Sequence, residues 1–301
     1  MPQASWLVEW PDTDFSIASV EFSEIMSGGV PKDGIPSISG PTFVDASDAD
    51  MLPEREPVMT LEIPGERPRA YPVRYLLWHE IVNDLVGQTP VAVTYCPLCN
   101  SGVVFDRRLD DKTLTFGVSG KLRHSDMVMY DRETESWWQQ STGEAIVGEL
   151  TGDTLVPLAG WTESWREFQK RNPDGLVMEA PDHPRRYGAN PYVGYDTSNW
   201  PFLFTGSAPP HGLAPLARVV RVGDFAWPLA RLRREGVISE HGVQLTWSAG
   251  QASAVDARTI ADSRDVGTVR VKDIATGEDL PHDLLFAFAY DALFPEGKWA
   301  L

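Results

Sequence analysis

Apolar positions recur at a helical spacing in one part of the chain. Between residues 73 and 86 the apolar side chains fall at positions 73, 76, 77, 81, 82, 85 and 86, and Gly87 follows them. Apolar residues at this spacing form one face of a helix, and glycine commonly stands just past a helix end. The pattern predicts a helix over residues 73–86. A second helix is predicted over residues 162–171, capped by Thr162 and ended by Asn172 and Pro173.

Short runs of β-branched and aromatic residues, separated by turn residues, predict strands elsewhere. They cover residues 58–63, 91–95, 103–106, 112–118, 126–130 and 137–140. Asp110 and Asp111 lie between two of these runs and predict a hairpin turn. Strands at this spacing with few helices between them predict an α+β fold made mainly of antiparallel β structure.

Two parts of the chain resemble each other weakly. The aligned pairs are residues 70–76 with 226–232 and, with four residues fewer in the second copy, residues 91–95 with 243–247. A repeat of this kind predicts two pseudo-repeated halves. Continued without a gap, the alignment places Ser248 and Gln251 of the second copy opposite Cys96 and Cys99 of the first. Cysteine chemistry is then expected in the first copy only.

These patterns divide the chain into four predicted parts. They are an N-terminal arm at residues 1–50, a cysteine-containing half at residues 51–180, a connector loop at residues 181–217 and a degenerate second half at residues 218–301. The connector is assigned from its seven prolines. It also carries Tyr187, Tyr192 and Tyr195 on a segment with several glycines. These tyrosines are expected either to cover a site or to pack in the ordinary way.

The charge balance narrows the range of partners. The 301 residues include 26 basic and 43 acidic ones, the net charge is −17, and no run of Lys or Arg supplies a basic face. Nucleic acid and anionic membranes are therefore poor partners, and a small-molecule substrate is expected instead. The sequence shows no secretory signal and no run of about 18 apolar residues. We expect a cytoplasmic protein, and nothing in the sequence predicts its oligomeric state.

The two cysteines of the chain, Cys96 and Cys99, follow the predicted strand at residues 91–95 directly. A disulfide between residues this close would constrain little of the unfolded chain, and disulfide-rich scaffolds usually carry more cysteines. Two thiolates at this spacing bind one metal ion when the chain turns tightly. We expect a metal site here, with a dithiol–disulfide couple and inert buried thiols as the alternatives.

One pair of cysteines leaves the remaining ligand positions to other side chains. His79, on the predicted helix at residues 73–86, is the preferred third ligand, and a satisfied interior histidine is the alternative. His124 lies between two predicted strands and is the second choice, with an exposed loop histidine as the alternative. Soft thiolate ligands favour copper(I) or zinc over hard cations, so a copper or zinc ion is the expected cofactor.

Several motifs between residues 70 and 140 resemble those of a large prokaryotic family, catalogued as a domain of unknown function, number three-one-seven-nine. They include YPVR at residues 71–74, WHE at 78–80, TYCPLCNSG at 94–102 and SDMVMYDR at 125–132. The resemblance extends over roughly residues 34–300. It implies that the histidine motif, the cysteine motif and Ser125-Asp126 belong to one shared pattern. Relatives often differ at residues 123–124, which favours His79 over His124.

Taken together, these features predict a metal-dependent enzyme in which Cys96, Cys99 and His79 hold the copper or zinc ion. An incomplete set of protein ligands leaves room for a substrate, so we expect an oxidoreductase that acts on a small molecule. Glu80 and Asp126 are the candidate proton-handling groups. The alternatives are a non-catalytic metal-binding protein, for storage, delivery or structure, and a thiol–disulfide redox protein.

Overall fold

The computed structural model describes residues 1–48 and 52–301. Strands make up 37% of the chain and helices 15%, and most strand pairs are antiparallel. This confirms the predicted fold of mainly antiparallel β structure with a few helices. The predicted boundary between residues 50 and 51 lies outside the described residues. Among the described helices, none has the length and apolar character needed to span a membrane.

The helices of the described residues are short. The α-helices are α1 (Ala4–Glu9), α2 (Val73–His79), α3 (Trp165–Arg171), α4 (Leu229–Glu235) and α5 (Ala287–Leu293). Single turns of 3-10 helix cover Phe22–Glu24, Ala46–Asp48, Tyr195–Thr197 and Ile260–Asp262. Isolated helices of this length are not stable in water, so packing against the strands must hold them in place.

Strands provide most of the regular structure. As far as the cysteines they are β1 (Ile25–Ser27), β2 (Ile38–Ser39), β3 (Phe43–Asp45), β4 (Pro57–Leu61), β5 (Arg69–Pro72), β6 (Ile81–Val86) and β7 (Thr89–Cys96). After the cysteines come β8 (Ser101–Asp106), β9 (Arg108–Leu109), β10 (Lys112–Thr113), β11 (Phe116–Arg123), β12 (Asp126–Asp131), β13 (Trp137–Gln139), β14 (Glu144–Val147), β15 (Pro157–Leu158), β16 (Gly160–Ser164) and β17 (Leu176–Met178). The last part of the chain forms β18 (Arg218–Val222), β19 (Phe225–Pro228), β20 (Val237–Glu240), β21 (Val243–Ser248), β22 (Thr268–Asp273), β23 (Asp283–Phe286) and β24 (Lys298–Trp299).

These strands form five larger sheets, arranged as a five-bladed β-propeller, and one two-stranded ribbon of β9 and β10. The strand orders of the larger sheets are β1-β11-β12-β13-β14, β15-β8-β7-β6-β2, β16-β4-β5-β17-β3, β23-β18-β19-β24 and β20-β21-β22. The sheet that contains β7 and β8 carries the cysteines, and we call it the cysteine sheet. Its strand β8 contacts β23 and β16, and its strand β6 contacts β11. The cysteine sheet therefore touches at least three of the other four sheets.

The predicted helix over residues 73–86 is wrong in its second part. Helix α2 ends at His79, and residues 81–86 form β6, which pairs with β7. Glu80 separates the two elements with a φ of 59° and a ψ of −33°, a conformation outside the helical region. Almost every residue of β6 is buried, and its apolar residues fall at positions 81, 82, 85 and 86 without a clear strand alternation. Gly87, the predicted helix end, lies in the turn between β6 and β7 with a φ of 58°.

The predicted helix over residues 162–171 begins later than expected. Residues 160–164 belong to β16, which pairs with β4, and α3 starts only at Trp165. The N-cap is Ser164, because its Oγ accepts a hydrogen bond from the backbone N–H of Glu167 at 3.3 Å. Asn172 is the C-cap, in agreement with the predicted end. Because β16 continues directly into α3 without a turn, the spacing of apolar residues does not show where the helix begins.

The weak repeat corresponds to two segments with the same succession of elements. The first unit, residues 69–96, consists of β5, α2, Glu80, β6 and β7, and the second unit, residues 225–248, consists of β19, α4, Gly236, β20 and β21. In both units a proline precedes the helix with nearly identical backbone angles. Both helices also end on one residue at positive φ, Glu80 at 59° and Gly236 at 76°.

The hairpins of the two units agree in register as well. Asp84 pairs with Val91 in the first hairpin, and the aligned residues Glu240 and Val243 pair in the second. The four residues absent from the second unit are therefore two from each strand beside the turn. The structure is thus compatible with the predicted pseudo-repeat.

The main apolar core surrounds the cysteines. Cys96 and Cys99 are 1% and 0% exposed and lie in one continuous cluster of buried side chains. That cluster extends from the cysteine sheet to α2, α5 and the strands β18 and β23. Smaller clusters lie under the N-terminal helix, around α3 and around α4. The cysteine turn is therefore placed in the interior, where displacing it would disturb several sheets at once.

Candidate metal centre

Cys96 and Cys99 occupy the turn that joins β7 to β8. Cys96 ends β7 and pairs with Ser101 at the start of β8, so the chain reverses within the residues between them. Asn100 has a φ of 55°, a conformation that asparagine tolerates better than most residues. Its Oδ1 accepts a hydrogen bond from Tyr95 Oη at 3.0 Å. This bond fixes the tight reversal that brings the two thiols together.

The last part of the chain holds this turn in place. Asp283, at the start of β23, accepts hydrogen bonds from Ser101 Oγ at 2.6 Å and from the backbone N–H of Gly102 at 2.9 Å. The backbone N–H of Phe286 donates to the carbonyl oxygen of Cys99 at 2.8 Å. Asp283 is 2% exposed, and burial raises its pKa to about 6. The turn is therefore anchored to a strand that lies far from it in sequence.

A second tight turn brings a carbonyl group to the two thiols. His124 and Ser125 join β11 to β12 with φ angles of 52° and 63°. Two consecutive residues at positive φ form the hairpin turn that usually contains glycine or asparagine, so the surrounding structure must enforce it here. The Ser125 carbonyl oxygen accepts hydrogen bonds from Cys99 Sγ at 3.4 Å and from Cys96 Sγ at 3.9 Å.

Asp126, the first residue of β12, completes a group of three metal-ligand side chains. A carboxylate oxygen of Asp126 and the sulfur atoms of Cys96 and Cys99 all lie within 4.8 Å of one another, and all three residues are buried. Asp126 accepts hydrogen bonds from Gln139 Nε2 at 2.6 Å and from the Ser141 backbone N–H and Oγ at 3.0 and 2.9 Å. Hydrogen bonds of this kind orient a carboxylate toward a metal ion.

Among the described residues with the largest effects on the pKa values of Cys96, Cys99 and Asp126, none is positively charged. Burial raises the pKa of both thiols, and the neighbouring carboxylates raise it further. Burial also raises the pKa of Asp126, against the effect of the hydrogen bonds from Ser141 and Gln139. Burying acidic groups in their charged form is costly unless a positive charge pairs with them. A bound cation would provide that charge.

Glu80 is a fourth acidic residue beside this group. It is 8% exposed and lines a cavity. Burial, and next the charge of Asp126, raise the pKa of Glu80 to about 8, so its carboxyl group is protonated at pH 7. Its backbone angles lie near the γ-turn conformation that is strained for any residue with a side chain. Strain of this kind is concentrated at functional sites.

The cavity beside Glu80 has a volume of about 580 Å³. Leu98 from the cysteine turn and Met127 from β12 also line it, so residues next to Cys99 and Asp126 in sequence face it, while the three ligand side chains themselves do not. Most of the other lining side chains are apolar, among them Val30, Ile35, Val118, Leu122, Tyr192, Val193, Tyr195 and Phe202. Lys121 also lines the cavity, and its Nζ lies 2.6 Å from Glu9 Oε2. A cavity of this size and lining suits a small, largely apolar molecule.

One wall of this cavity comes from the segment predicted as a connector. Tyr195 Oη donates a hydrogen bond to the Leu98 carbonyl oxygen at 2.9 Å, and Ser125 Oγ donates to the Phe202 carbonyl oxygen at 2.5 Å. The segment is therefore bonded to both turns of the candidate centre. Tyr192 and Tyr195 of this segment line the cavity. This agrees with the expectation that the tyrosines cover a site.

The structure does not bring His79 to the cysteines. Its Nδ1 lies 2.7 Å from the Pro36 carbonyl oxygen and its Nε2 lies 2.7 Å from Tyr187 Oη, so both ring nitrogens are satisfied inside the protein. His124 lies elsewhere too, with its Nε2 3.3 Å from Glu24 Oε2. Because the chain changes direction at Glu80, this residue rather than His79 lines the cavity. Asp126 takes the place beside the sulfur atoms that the sequence assigns to His79.

Two features of the centre could not be predicted from the sequence: the position of Asp126 beside the sulfur atoms and the approach of the Ser125 carbonyl group. The sequence predicts Asp126 as a proton-handling group, and only the hairpin between β11 and β12 places its carboxylate beside the sulfur atoms. The shared motif that contains Ser125 and Asp126 is the signal that points to this hairpin. The Ser125 carbonyl group has no sequence signal, because every residue carries one.

A family model for proteins of unknown function, DUF3179, matches residues 32–297. The match spans most of the chain and includes both turns of the candidate centre. The search of curated proteins and the search of solved structures give no match.

Proposed function

For this chain, which belongs to the DUF3179 family of proteins of unknown function, we propose a metal-dependent enzyme that acts on a small, largely apolar molecule. Cys96, Cys99 and Asp126 hold the metal ion, and the substrate occupies the cavity beside Glu80. The observation that carries the proposal is the grouping of these three ligand side chains within 4.8 Å of one another, next to a cavity of about 580 Å³.

The donor set favours zinc over copper. Zinc accepts cysteine sulfur and aspartate oxygen together, whereas copper(I) is selected by soft sulfur ligands. The cysteine pair alone is compatible with either ion. The carboxylate of Asp126 is the ligand that favours zinc. Three protein side chains leave a position for an exogenous group, as in catalytic rather than structural zinc sites.

The residues around the cavity define what the protein itself contributes. A bound zinc ion would polarise a carbonyl group of the substrate or a water molecule. Burial raises the pKa of Glu80 in the metal-free protein, and its carboxyl group is the group that exchanges a proton with an oxygen atom of the substrate. Tyr192 and Phe202 give one side of the cavity an aromatic lining that suits an apolar substrate. An oxidoreductase reaction remains the proposal for a copper-loaded centre, because zinc has no redox chemistry of its own.

A structural metal site is the second candidate, and complete burial of the sulfur atoms favours it. Cys96 and Cys99 are 1% and 0% exposed, and neither lines the cavity. A thiol–disulfide function has less support, because burial raises the pKa of both thiols and so suppresses the reactive thiolate. Reactive cysteines normally lie in partly exposed, electropositive surroundings.

Elemental mass spectrometry of freshly purified protein tests the metal site. We expect about one equivalent of zinc or copper in the wild type, as one four-coordinate site requires, and loss of that metal in Cys96→Ser, Cys99→Ser and Asp126→Asn. Ser248→Ala, at the position of the second unit that aligns with Cys96, should retain the metal. A metal-free wild type with two reversibly oxidised thiols would contradict the proposal.

Glu80→Gln separates the enzyme from the structural site. This variant should retain the metal, since Glu80 is not among the three ligand side chains. A screen of small apolar carbonyl compounds should then find turnover by the wild type that the Glu80→Gln variant lacks. Turnover that is equal in the two proteins would remove Glu80 from the mechanism, and a wild type that keeps its metal without turnover would favour the structural site.

A further inference from the structure

We propose that Arg221 forms a second binding site, which takes a small carboxylate with an apolar body and lies between the cysteine sheet and β18. Nothing in the proposed enzyme uses this site. It shares no lining residue with the cavity beside Glu80. The proposal therefore stands or falls independently of the metal centre.

Arg221 is an arginine whose hydrogen-bond donors find no partner among the described residues. Its Nε is buried and unsatisfied, and its guanidinium group stacks over the Phe294 ring at 3.9 Å. Arg218, on the same strand, also has a buried Nε without a partner, but its Nη2 donates to Asp196 at 2.9 Å and to Ser253 at 2.8 Å. Leaving a buried guanidinium N–H such as this Nε unpaired is costly. A ligand that accepts from Arg221 would remove that cost.

Arg221 lines a cavity of about 310 Å³. The walls are formed by residues of β8, β15 and β18 and by the segment before β23, with apolar lining side chains that include Val103, Val104, Leu158, Val222 and Leu280. This volume lies at the lower end of the range for small-molecule pockets. The cavity therefore admits a compact molecule whose body contacts aliphatic side chains and whose polar group reaches Arg221.

The other polar side chains of this cavity already have partners. His282 directs Nδ1 to the Leu280 carbonyl oxygen at 2.9 Å and Nε2 to the Val269 carbonyl oxygen at 3.3 Å. Asp283 is the carboxyl group with the strongest influence on Arg221, but its two oxygens accept from Ser101 and Gly102. Arg221 thus remains the cation with open donors. Its fork-shaped group matches the two oxygens of a carboxylate, which is why we assign this ligand class.

Binding at this site would act on the cysteine turn through a short chain of contacts. Val103 and Val104 line the cavity and belong to β8, which begins directly after the turn. Asp283 lines it too and bonds to Ser101 and Gly102. A carboxylate on Arg221 would therefore rest against the elements that fix the turn.

Isothermal titration calorimetry with benzoate and hexanoate tests the site in the full-length protein. We expect saturable binding of at least one of these carboxylates by the wild type and none of benzyl alcohol or hexanol, which have similar bodies without the charge. Arg221→Gln should weaken binding by about tenfold or more, because hydrogen bonds to charged groups are the strong ones. Arg221→Lys should weaken it less, because it keeps the charge and loses the fork.

Arg234→Gln is the matched control, since it removes the same charge from an exposed position on α4 and should bind as the wild type does. Circular dichroism of each variant verifies folding, and Arg221→Lys decides the outcome if Arg221→Gln does not fold. The proposal is overturned if neither carboxylate binds the wild type at millimolar concentrations. It is also overturned if both Arg221 variants bind as tightly as the wild type, or if the alcohols bind equally well.

Discussion

The first unit, residues 69–96, and the second unit, residues 225–248, follow the same backbone path, and only the first leads into a pair of cysteines. The agreement includes the proline before each helix, the single residue at positive φ after it and the register of the hairpin. This backbone path therefore forms equally well without metal-ligand side chains. The difference must come from the residues placed on it and from their surroundings.

Burial distinguishes the two units most clearly. In the first unit β6 and β7 are buried along almost their whole length, whereas β20 and β21 alternate between buried and exposed residues. Ser248, which aligns with Cys96, is exposed. The first unit lies inside the protein between other sheets, and the second unit has one side in water. Only the buried unit has the dry, enclosed surroundings in which metal ligands and a protonated carboxyl group can be maintained.

Glu80 and Gly236 show the same difference at one position. Glycine takes the strained backbone conformation at little steric cost, and the second unit uses it. The first unit places a glutamate there, with a φ of 59° and its side chain against the cavity. This strained, buried acid at the position where the second unit has glycine is one reason why we propose a role for the carboxyl group.

Replacement of a cysteine should give the largest effect. Cys99→Ser removes one of two sulfur ligands, so the metal no longer stabilises the folded state. At free metal about a thousandfold above Kd, this linkage is worth about 4 kcal/mol. Thermal unfolding in the presence of metal should show a clear drop in Tm for Cys99→Ser and almost none for Ser248→Ala. Equal Tm values for the two variants would contradict the assignment of the metal to the first unit.

The pH dependence of stability in metal-free protein should come next in size. The pKa of Glu80 is raised from 4.5 to about 8 by burial and by Asp126, so the folded state binds more protons than the unfolded state between these values. The free energy of unfolding should therefore fall as pH rises through this window, by a few kcal/mol as an order of magnitude.

Urea unfolding at several pH values between these limits measures the slope. Glu80→Gln should remove most of the slope between pH 7 and 8, because glutamine carries no titrating proton and the pKa of Asp283, which burial raises to about 6, lies below this range. Glu235→Gln, which takes a carboxylate from the second unit next to Gly236, should leave the slope unchanged. A slope that is the same in Glu80→Gln and in the wild type would show that other groups cause it.

The hydrogen bonds that orient Asp126 should have a smaller effect. Ser141→Ala removes the Oγ donor at 2.9 Å and keeps the backbone N–H donor at 3.0 Å. Loss of such a supporting contact typically lowers metal affinity by about 10–100-fold. Competition with a chelator measures the affinity, and Ser239→Ala on the second unit provides a matched serine control. An unchanged affinity in Ser141→Ala would argue that Asp126 is not a ligand.

Substitutions at the residue after each helix, Glu80 in the first unit and Gly236 in the second, should give the smallest changes in stability. The two changes should have opposite signs. Glu80→Gly relieves backbone strain and the burial of an acid, so stability should rise by about 1 kcal/mol in metal-free protein. Gly236→Ala should lose about 1–2 kcal/mol, because a Cβ there meets no atom within 4 Å and only the strain remains. Denaturant unfolding measures both changes. Destabilisation by Glu80→Gly would mean that the glutamate side chain contributes to folding.

The sequence predicts the β-rich fold, the cysteine turn and the relation between the two units, because each depends on local spacing or on direct comparison of segments. It cannot locate the end of α2, since the apolar residues 81, 82, 85 and 86 of the strand β6 continue the helical spacing by chance. The alignment of Glu80 with Gly236 is the available signal for that break. Asp126 rather than His79 lies beside the sulfur atoms because two hairpins pack against each other. Residue patterns along the chain do not predict such packing.

X-ray absorption spectroscopy at the zinc or copper edge tests the central claim most directly, because it reports the atoms bound to the metal. For purified wild-type protein we predict two sulfur neighbours, at about 2.3 Å if the metal is zinc, together with oxygen neighbours at about 2.0–2.2 Å. In Cys99→Ser to which excess metal is added back, any bound metal should have at most half of this sulfur contribution, whereas Ser248→Ala should keep all of it. A metal with no sulfur neighbour, or a set of ligands that does not change in Cys99→Ser, would contradict the account.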